Sequence, residues 1–416
     1  MRVMILSALY PPLIHGGAEK AAWQLAEALV AEGDDVAVIT MHPGSEESAE
    51  TLNGVRVYRI PMDNLYWPFG NKVKPSAPSR LRWHLRDMWN RRTAARVGRI
   101  LDIENPEVVN SHLIIGFSPA VWREVKRRGI RLVHTLHDYY LMCSRADMFG
   151  GGRICATRCG QCKALTATRK LASGGVDAAI SVSQYVLDAH RSRNYFRNVP
   201  GSVIYNVTTL PEGATPATVD PDPDHLVFGF LGRLDDYKGV RTALEATRRL
   251  DAENWRLRVG GTGLEATVKA LRAEFTDPRI EWLGFTDADS YFRSIHINIV
   301  PSLWADPLPY VVIESHLHGK PILLSDSGGI PEAAALGRKT ASFPAGDVAA
   351  LAALMNAALA ARGDWLRGGF RDRDALAAFS VKSIVEQYRA VYRNEPQNGA
   401  KRAANRSVSR IPEAAG

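Results

Sequence analysis

Short apolar runs alternate with helical periodicity along most of the chain. Val3–Leu6 reads as a β-strand, and Ala18–Glu32 as a helix with Ala21, Ala22, Leu25, Ala28 and Leu29 on one face. Gly33-Asp34-Asp35 supplies a turn before the next apolar run, Val36–Ile39. Val55–Ile60, Val108–Asn110 and Leu132–Leu136 follow as strands, with a helix near Ser118–Arg127 between the last two. Strands spaced by helices predict βαβ units and a parallel sheet.

The rhythm stops between Leu210 and His225, where Pro211, Pro216, Pro221 and Pro223 fall in a stretch without periodicity. That composition predicts a linker. The pattern then restarts. Strands are expected at Val227–Leu231, Leu257–Gly260, Ile280–Leu283, Ile297–Val300 and Pro321–Ser325. Helices are expected at Val240–Leu250, Leu264–Phe275, Val311–His318, Ala349–Ala361 and Val381–Arg393. From about Glu395 the chain is polar and rich in Ala and Arg, which predicts a disordered tail over 395–416. The fold class is therefore α/β, with two halves joined by a Pro-rich linker and a ligand cleft between them. Ligands of open α/β sheets sit beyond the carboxyl ends of the strands, so the loops after strands carry the candidate chemistry.

Composition narrows the setting. The chain has 416 residues, of which 46% are hydrophobic and 23% charged, as in a soluble protein of two or three domains. No run approaches the ~20 apolar residues of a membrane span. The opening Met1–Ser7 is interrupted too soon for a secretory signal, so the cytoplasm is expected. Formal net charge is +8, and much of the excess lies in two places. One is Arg80–Arg99, where Arg80, Arg82, Arg86, Arg91, Arg92, Arg96 and Arg99 stand among Leu81, Trp83, Leu85, Met88 and Trp89. It reads as one amphipathic basic helix, suited either to the inner face of an anionic membrane or to a solvated face packed on the first domain. The other is the tail, with Lys401, Arg402, Arg406 and Arg410. Neither resembles a nucleic-acid motif, so no nucleic-acid partner is expected.

In the second half, Val227–Leu231 runs into Gly232-Arg233-Leu234-Asp235-Asp236-Tyr237-Lys238-Gly239. Arg233 offers a planar fork and Lys238 a point charge near a helix start, a set that fits a diphosphate or, failing that, two solvated surface cations. Gly260-Gly261-Thr262-Gly263 closes the next strand and permits close backbone approach to a ligand, or merely a tight turn. Pro301-Ser302-Leu303-Trp304-Ala305-Asp306-Pro307-Leu308-Pro309-Tyr310 then leads into a helix carrying Glu314. Asp306 and Glu314 are carboxylates that suit paired sugar hydroxyls, though Glu314 could simply favour the helix dipole. In the first half, Gly16 and Gly17 lie between the first strand and helix, and His137 follows Leu132–Leu136 directly. Ser111-His112 has a similar place after a strand. Asp-x-Asp pairs at Asp220/Asp222/Asp224 and Asp287/Asp289 read as structural, the second as a helix start, so no catalytic metal is expected. All four cysteines fall in one window: Cys143, Cys155, Cys159 and Cys162. Their spacing is compatible with a structural tetrahedral zinc, with disulfides or with free thiols.

The succession Gly-Arg-Leu…Lys-Gly, Gly-Gly-Thr-Gly and Pro-Ser…Asp-Pro…Glu-Ser…Gly-Lys-Pro resembles the retaining glycosyltransferases of family 4 (glycosyl transferases group 1), from Met1 to about Tyr392. The resemblance implies a GT-B fold: an acceptor-binding Rossmann-like domain over 1–207, a nucleotide-sugar-binding one over 208–380, and a helix over 381–394 packing back on the first. It implies transfer from a UDP- or GDP-sugar to a glycan or lipid-linked acceptor, with cell-surface polysaccharide or glycolipid synthesis as the setting. Arg233 and Lys238 match the family's diphosphate pair, and Glu314 its ribose ligand. Asp306 stands where the family has Glu, near the transferred sugar with the backbone around Leu308, Pro309 and Tyr310. Gly16 and Gly17 match the phosphate loop and His137 the cleft histidine. Gly284 or Phe285 would line the base pocket, and Gly261 would approach the donor. The alternatives are a non-catalytic partner protein of the same fold, which only Asp306 favours, and a nucleotide-sugar epimerase.

Overall fold

The computed structural model describes residues 1–70, 75–208, 222, 224–366, 376–377 and 379–395. Most of the Pro-rich linker and the tail beyond Glu395 lie outside them. In the first half the strands are β1 (Arg2–Leu6), β2 (Asp35–His42), β3 (Ser48–Leu52), β4 (Val55–Pro61), β5 (Val108–Ser111) and β6 (Arg131–Leu136), then a hairpin of β7 (Phe149–Gly150) and β8 (Arg153–Ile154), and β9 (Ala178–Ser181) and β10 (Gly201–Val203). Eight of them form a sheet in the order β10-β9-β6-β5-β1-β2-β4-β3, parallel throughout except where β3 meets β4. The second half contributes β11 (Leu226–Leu231), β12 (Trp255–Gly260), β13 (Ile280–Gly284), β14 (Ile297–Val300), β15 (Ile322–Ser325) and β16 (Thr340–Phe343). They form a wholly parallel sheet in the order β13-β12-β11-β14-β15-β16.

Parallel sheets are covered on both faces, which is why their central strands read as unbroken apolar runs. Successive side chains of β1 divide between two layers. Met4 and Leu6 join Ile39, Val109 and Leu132 in one core, while Val3 and Ile5 join Val38, Val108 and Val133 in the other. The second layer is completed from the far end of the chain. Ile384, Val385, Tyr388, Val391 and Tyr392 of the Val381–Arg393 helix lie in it, beside Leu25 and Leu29 of the Gly17–Ala31 helix. Asn110 Nδ2 donates to the Tyr392 hydroxyl at 2.7 Å, and Arg389 reaches Asp34 at 2.8 Å, which also takes the amino terminus.

The basic segment Arg80–Arg99 is not one helix. It divides into Ala77–Met88 and Arg91–Glu104, because the Asn90 side chain accepts the N–H of Thr93 and starts a second helix. Its aromatics turn inward: Trp83 is 2% exposed, and its indole N–H donates to the Tyr66 carbonyl at 2.9 Å. Arg96 pairs with Asp63 and Glu47, and Arg99 with Glu47, so part of the positive charge is neutralised within the fold. Among the described residues no helix is long and apolar enough to cross a membrane.

One buried ion pair fastens the first of these helices to the Ala167–Ser173 helix. Asp87 accepts from Arg169 at 2.8 Å, from the Tyr140 hydroxyl at 2.5 Å and from the Gly116 N–H at 2.8 Å. Both charged side chains are fully buried, and the Arg169 guanidinium lies 3.7 Å from the Tyr140 ring centre. Burial pushes the Asp87 carboxyl up to about 6 despite these partners. Removing the carboxylate strands a buried guanidinium, at a cost of about 3–5 kcal/mol. Asp87→Ala is therefore expected to lower the urea midpoint of the unfolding transition reported by tryptophan fluorescence, whereas the exposed Arg127→Ala shifts it little.

Candidate functional site

The carboxyl ends of β11, β12 and β13 form one continuous backbone surface. The Gly232 N–H donates to the Gly260 carbonyl at 3.1 Å, the Gly261 N–H to the Gly284 carbonyl at 2.7 Å and the Leu234 N–H to the Thr262 carbonyl at 2.8 Å. Gly261 has φ +125°, and a Cβ there would lie 1.8 Å from the Gly232 carbonyl oxygen, so no other residue fits without moving the strand ends. Beside this surface opens a cavity of about 510 Å³, lined by Leu234, Gly261, Thr262, Gly263, Arg272, Trp282 and Gly284 among others. Gly284 thus belongs to the cavity wall. Phe285 is not among the lining residues and its side chain stands in solvent, 87% exposed.

The β11 loop places Arg233 and Lys238 differently. The Lys238 ammonium is paired with the Asp306 carboxylate and lies 5.1 Å from the Trp304 ring centre. The Arg233 guanidinium is largely exposed, bonded to Asp235 at 2.8 Å and 5.4 Å from the Tyr237 ring centre. Asp306 itself is buried. Its loop is held from behind by the turn after β15. The Gly329 N–H donates to the Asp306 carbonyl at 2.8 Å, and the Ser327 hydroxyl to the Trp304 carbonyl at 2.8 Å. Leu308 and Pro309 are buried behind the loop, and Tyr310 opens the Tyr310–Leu317 helix that carries Glu314.

The two halves meet at these loops. The Trp304 indole donates to the Asp147 carbonyl, the Tyr139 hydroxyl donates to the Ala305 carbonyl at 2.6 Å, and the Phe149 ring lies against Tyr237. A further contact joins Lys20 to Glu314 at 3.0 Å. On the first half, Gly16 is the N-cap of the Gly17–Ala31 helix, and a Cβ on Gly17 would lie 3.2 Å from the Tyr310 ring. The Glu19 carboxylate is buried and turned back on the Gly16 N–H, so burial raises its pKa against the backbone bonds that lower it. Asp306 and its partner Lys238, through Trp304 and Ala305, and Glu314 and Tyr310, through Lys20 and Gly17, therefore lie where the two halves meet, while Arg233 has its contacts on its own loop.

His137 stands directly after β6, half-buried, with Nε2 2.7 Å from His112 Nδ1 and the two rings nearly parallel. Burial lowers His137 to about 3 and His112 well below the ordinary imidazole value. Both rings are neutral at pH 7, and one must donate to the other. The expected outcome is an imidazole NMR signal of His137, assigned with His137→Asn, that stays unprotonated from pH 8 down to 5.

No disulfide joins the four cysteines. Cys143 and Cys162 Sγ lie 3.8 Å apart, and Cys159 Sγ accepts the Cys162 N–H at 3.4 Å. Among the described residues no group of three or more His, Cys, Asp and Glu side chains is set to hold a metal ion. The acidic pairs have partners within the fold. Asp287 caps the Ala288–Arg293 helix through the Ser290 N–H, Asp289 binds Arg293, and Asp222 binds Arg256. Asp220 lies outside the described residues.

Sequence reasoning passed over Lys20, Trp304, Tyr139 and the Ser327–Gly329 turn. The turn did carry a signal: paired glycines between a strand and the start of the next helix, like Gly16-Gly17. Lys20 carried none, because its partner lies 294 residues away.

Comparison with known proteins gives the geometry a family. Two paired, facing parallel sheets with the site between them define a GT-B glycosyltransferase fold. Residues 15–210 match the model for Glycosyltransferase Family 4, and residues 225–361 that for Glycosyl transferases group 1. The chain belongs to this group 1 / family 4 glycosyltransferase family. It is 27% identical over 332 residues to an uncharacterised 42.6 kDa protein in the cps region of Klebsiella pneumoniae, covering 80% of this chain and 87% of that one. Sucrose-phosphate synthase from Thermosynechococcus elongatus superposes with a TM-score of 0.71 at 18% identity, over 94% of this chain and 98% of that one. HepE from Anabaena, solved in complex with UDP and glucose, gives 0.68 at 17% identity, over 95% and 100%.

The β11 and β12 loops leave a sharp stability test. Gly261→Ala is expected to lower the melting temperature by several degrees, through the collision with Gly232, while Gly263 and the strands keep their sequence. Differential scanning calorimetry checks it.

Proposed function

We propose that this glycosyltransferase moves a sugar, with retention at the anomeric carbon, from a UDP- or GDP-sugar to a glycan or lipid-linked acceptor. The observation that carries the reading is that the Lys238–Asp306 pair and Glu314 lie where the second half touches the first, with the exposed Arg233 on the same β11 loop as Lys238. The neighbouring HepE structure, with UDP and glucose bound, supports a nucleotide-sugar donor. The cps-region relative supports synthesis of a cell-surface polysaccharide or glycolipid.

In this reading the base enters the cavity beside Gly261 and Gly284, with Trp282 on its wall. Glu314 accepts the ribose hydroxyls. The diphosphate draws Lys238 from Asp306 and takes Arg233, whose exposed fork needs little rearrangement. The amides of Gly16-Gly17 complete the cradle once Glu19 yields the Gly16 N–H. As the glycosidic bond to phosphate breaks, negative charge grows on the leaving diphosphate and these donors stabilise it. Asp306, released from Lys238, meets the sugar hydroxyls. His137 adds a neutral hydrogen bond. The departing phosphate oxygen takes the acceptor proton on the same face, which preserves the anomeric configuration.

Lys238→Ala removes one charge from the leaving group and is expected to lower kcat by about 10²–10³-fold, the scale of losing one oxyanion donor. The check is release of UDP or GDP from a panel of UDP- and GDP-sugars. Tight nucleotide binding without turnover on any donor and acceptor would reject the catalytic reading in favour of a binding protein.

A further inference from the structure

Lys20 has a place in the site that the motif pattern does not assign. It lies in the first turn of the Gly17–Ala31 helix, on the opposite half of the molecule from Glu314. Its ammonium bonds Glu314 Oε1 at 3.0 Å and stands 4.6 Å from the ring centre of Tyr310. The approach is built in by the neighbouring backbone. Gly17 lies so near the Tyr310 ring that a Cβ there would sit 3.2 Å from it, so the helix of the first half rests directly on the first turn of the second. The Glu314 carboxylate is mostly buried, whereas Lys20 keeps partial access to solvent.

Three physical consequences follow. A carboxylate has about four acceptor positions, and one ammonium bond leaves room for two hydroxyl donors. A lysine on one oxygen limits rotation about the terminal bond. The contact also exists only when the halves are together, because each partner belongs to a different sheet. We propose that Lys20 is a positioning residue for the donor nucleotide: it crosses the cleft to orient the Glu314 carboxylate for the ribose hydroxyls, so that nucleoside recognition requires both halves. The proposal rests on the nucleotide-sugar reading above, and it concerns the ribose rather than the diphosphate.

The ribose makes it testable without turnover. Affinity for UDP and 2′-deoxy-UDP, and for GDP and 2′-deoxy-GDP, is measured by calorimetry on the full chain. The proteins are the wild type, Lys20→Met, Lys20→Arg, Glu314→Gln and the Lys20→Met/Glu314→Gln double variant. Lys20→Met keeps the apolar stem and removes the charge. It is expected to weaken whichever ribonucleotide binds by about tenfold, the scale of one charged hydrogen bond. The deoxynucleotide should change much less, so the preference for ribose falls. Lys20→Arg should restore most of that preference, and the double variant should bind no worse than Glu314→Gln alone.

Equal losses for the ribo- and deoxynucleotide in Lys20→Met would overturn the proposal and make Lys20 a diphosphate or packing residue. Additive losses in the double variant would overturn it too, since Lys20 would then act independently of Glu314. Unchanged binding in Lys20→Met, with a wild type that binds, also overturns it. A wild type that binds neither UDP nor GDP is a separate result: it removes the nucleotide-sugar reading itself, and the proposal with it.

Discussion

The structure turns on a charge held at a boundary. Lys238 and Asp306 come from loops of one sheet, and the Asp306 loop is in turn fastened to the other half through Trp304 and Ala305. Neither charge is free to solvate fully, so each serves as counter-ion to the other until a stronger partner arrives. A diphosphate is such a partner for the ammonium, and sugar hydroxyls for the carboxylate. The site is therefore closed to neither ligand but is costly to leave half filled. The same logic governs the second pair, Lys20 and Glu314, with the difference that its two members belong to opposite halves. Glu19 gives a third case, with a carboxylate seated on the N–H group that an anionic ligand would use.

Holding these loops requires more backbone than charge. Gly239 has φ +74° and carries no Cβ because one would lie 1.8 Å from the Pro301 carbonyl oxygen. The β11 and β14 loops can thus cross at van der Waals contact, which brings Lys238 to Asp306. Behind them the turn after β15 supplies Gly329 and Ser327 as donors to the Asp306 and Trp304 carbonyls. The glycines of the motif serve close approach more than flexibility. They remove side chains from places where one loop backbone must pass over another.

Much of this was legible in the sequence because parallel strands declare themselves. β1 and β11 are apolar runs, β5, β6 and β14 are buried strands with an apolar majority or half, and the loops that follow the five hold Gly16-Gly17, His112, His137, Arg233 and Asp306. Weaker strands did not declare themselves. β3 is almost wholly exposed at the sheet edge, so Ser48–Leu52 lacks the apolar signal that betrays a strand. The break at Trp89–Asn90 was also hidden, since the amphipathic periodicity of Arg80–Arg99 continues through it and only the cap of Asn90 resets the helix. The buried pair that anchors the first of these helices, Asp87 with Arg169, was hidden as well, its members being separated by 82 residues. The partners of Glu314 and Asp306 were illegible for the same reason. Sequence spacing shows which residues end a strand, but which ion meets which is decided by strand order within a sheet for Lys238 and Asp306 and by the docking of two sheets for Lys20 and Glu314.

The histidines supply the last constraint on the chemistry. A glycosyl group leaving a diphosphate becomes positively charged at the ring carbon while the phosphate becomes negative. A permanent cation at His137 would help one end and oppose the other; at 4 Å and an effective dielectric of 20, two like unit charges repel by about 4 kcal/mol. The fold removes that conflict by burial, which keeps both His137 and His112 neutral, and by their mutual hydrogen bond, which satisfies one nitrogen of each. His112 Nε2 remains buried without a protein partner. The cations are placed instead on the β11 loop, at Arg233 and Lys238. For the proposed reaction, positive charge is thereby kept on the phosphate side, apart from the neutral histidine pair, so that no fixed cation opposes the charge growing on the sugar ring.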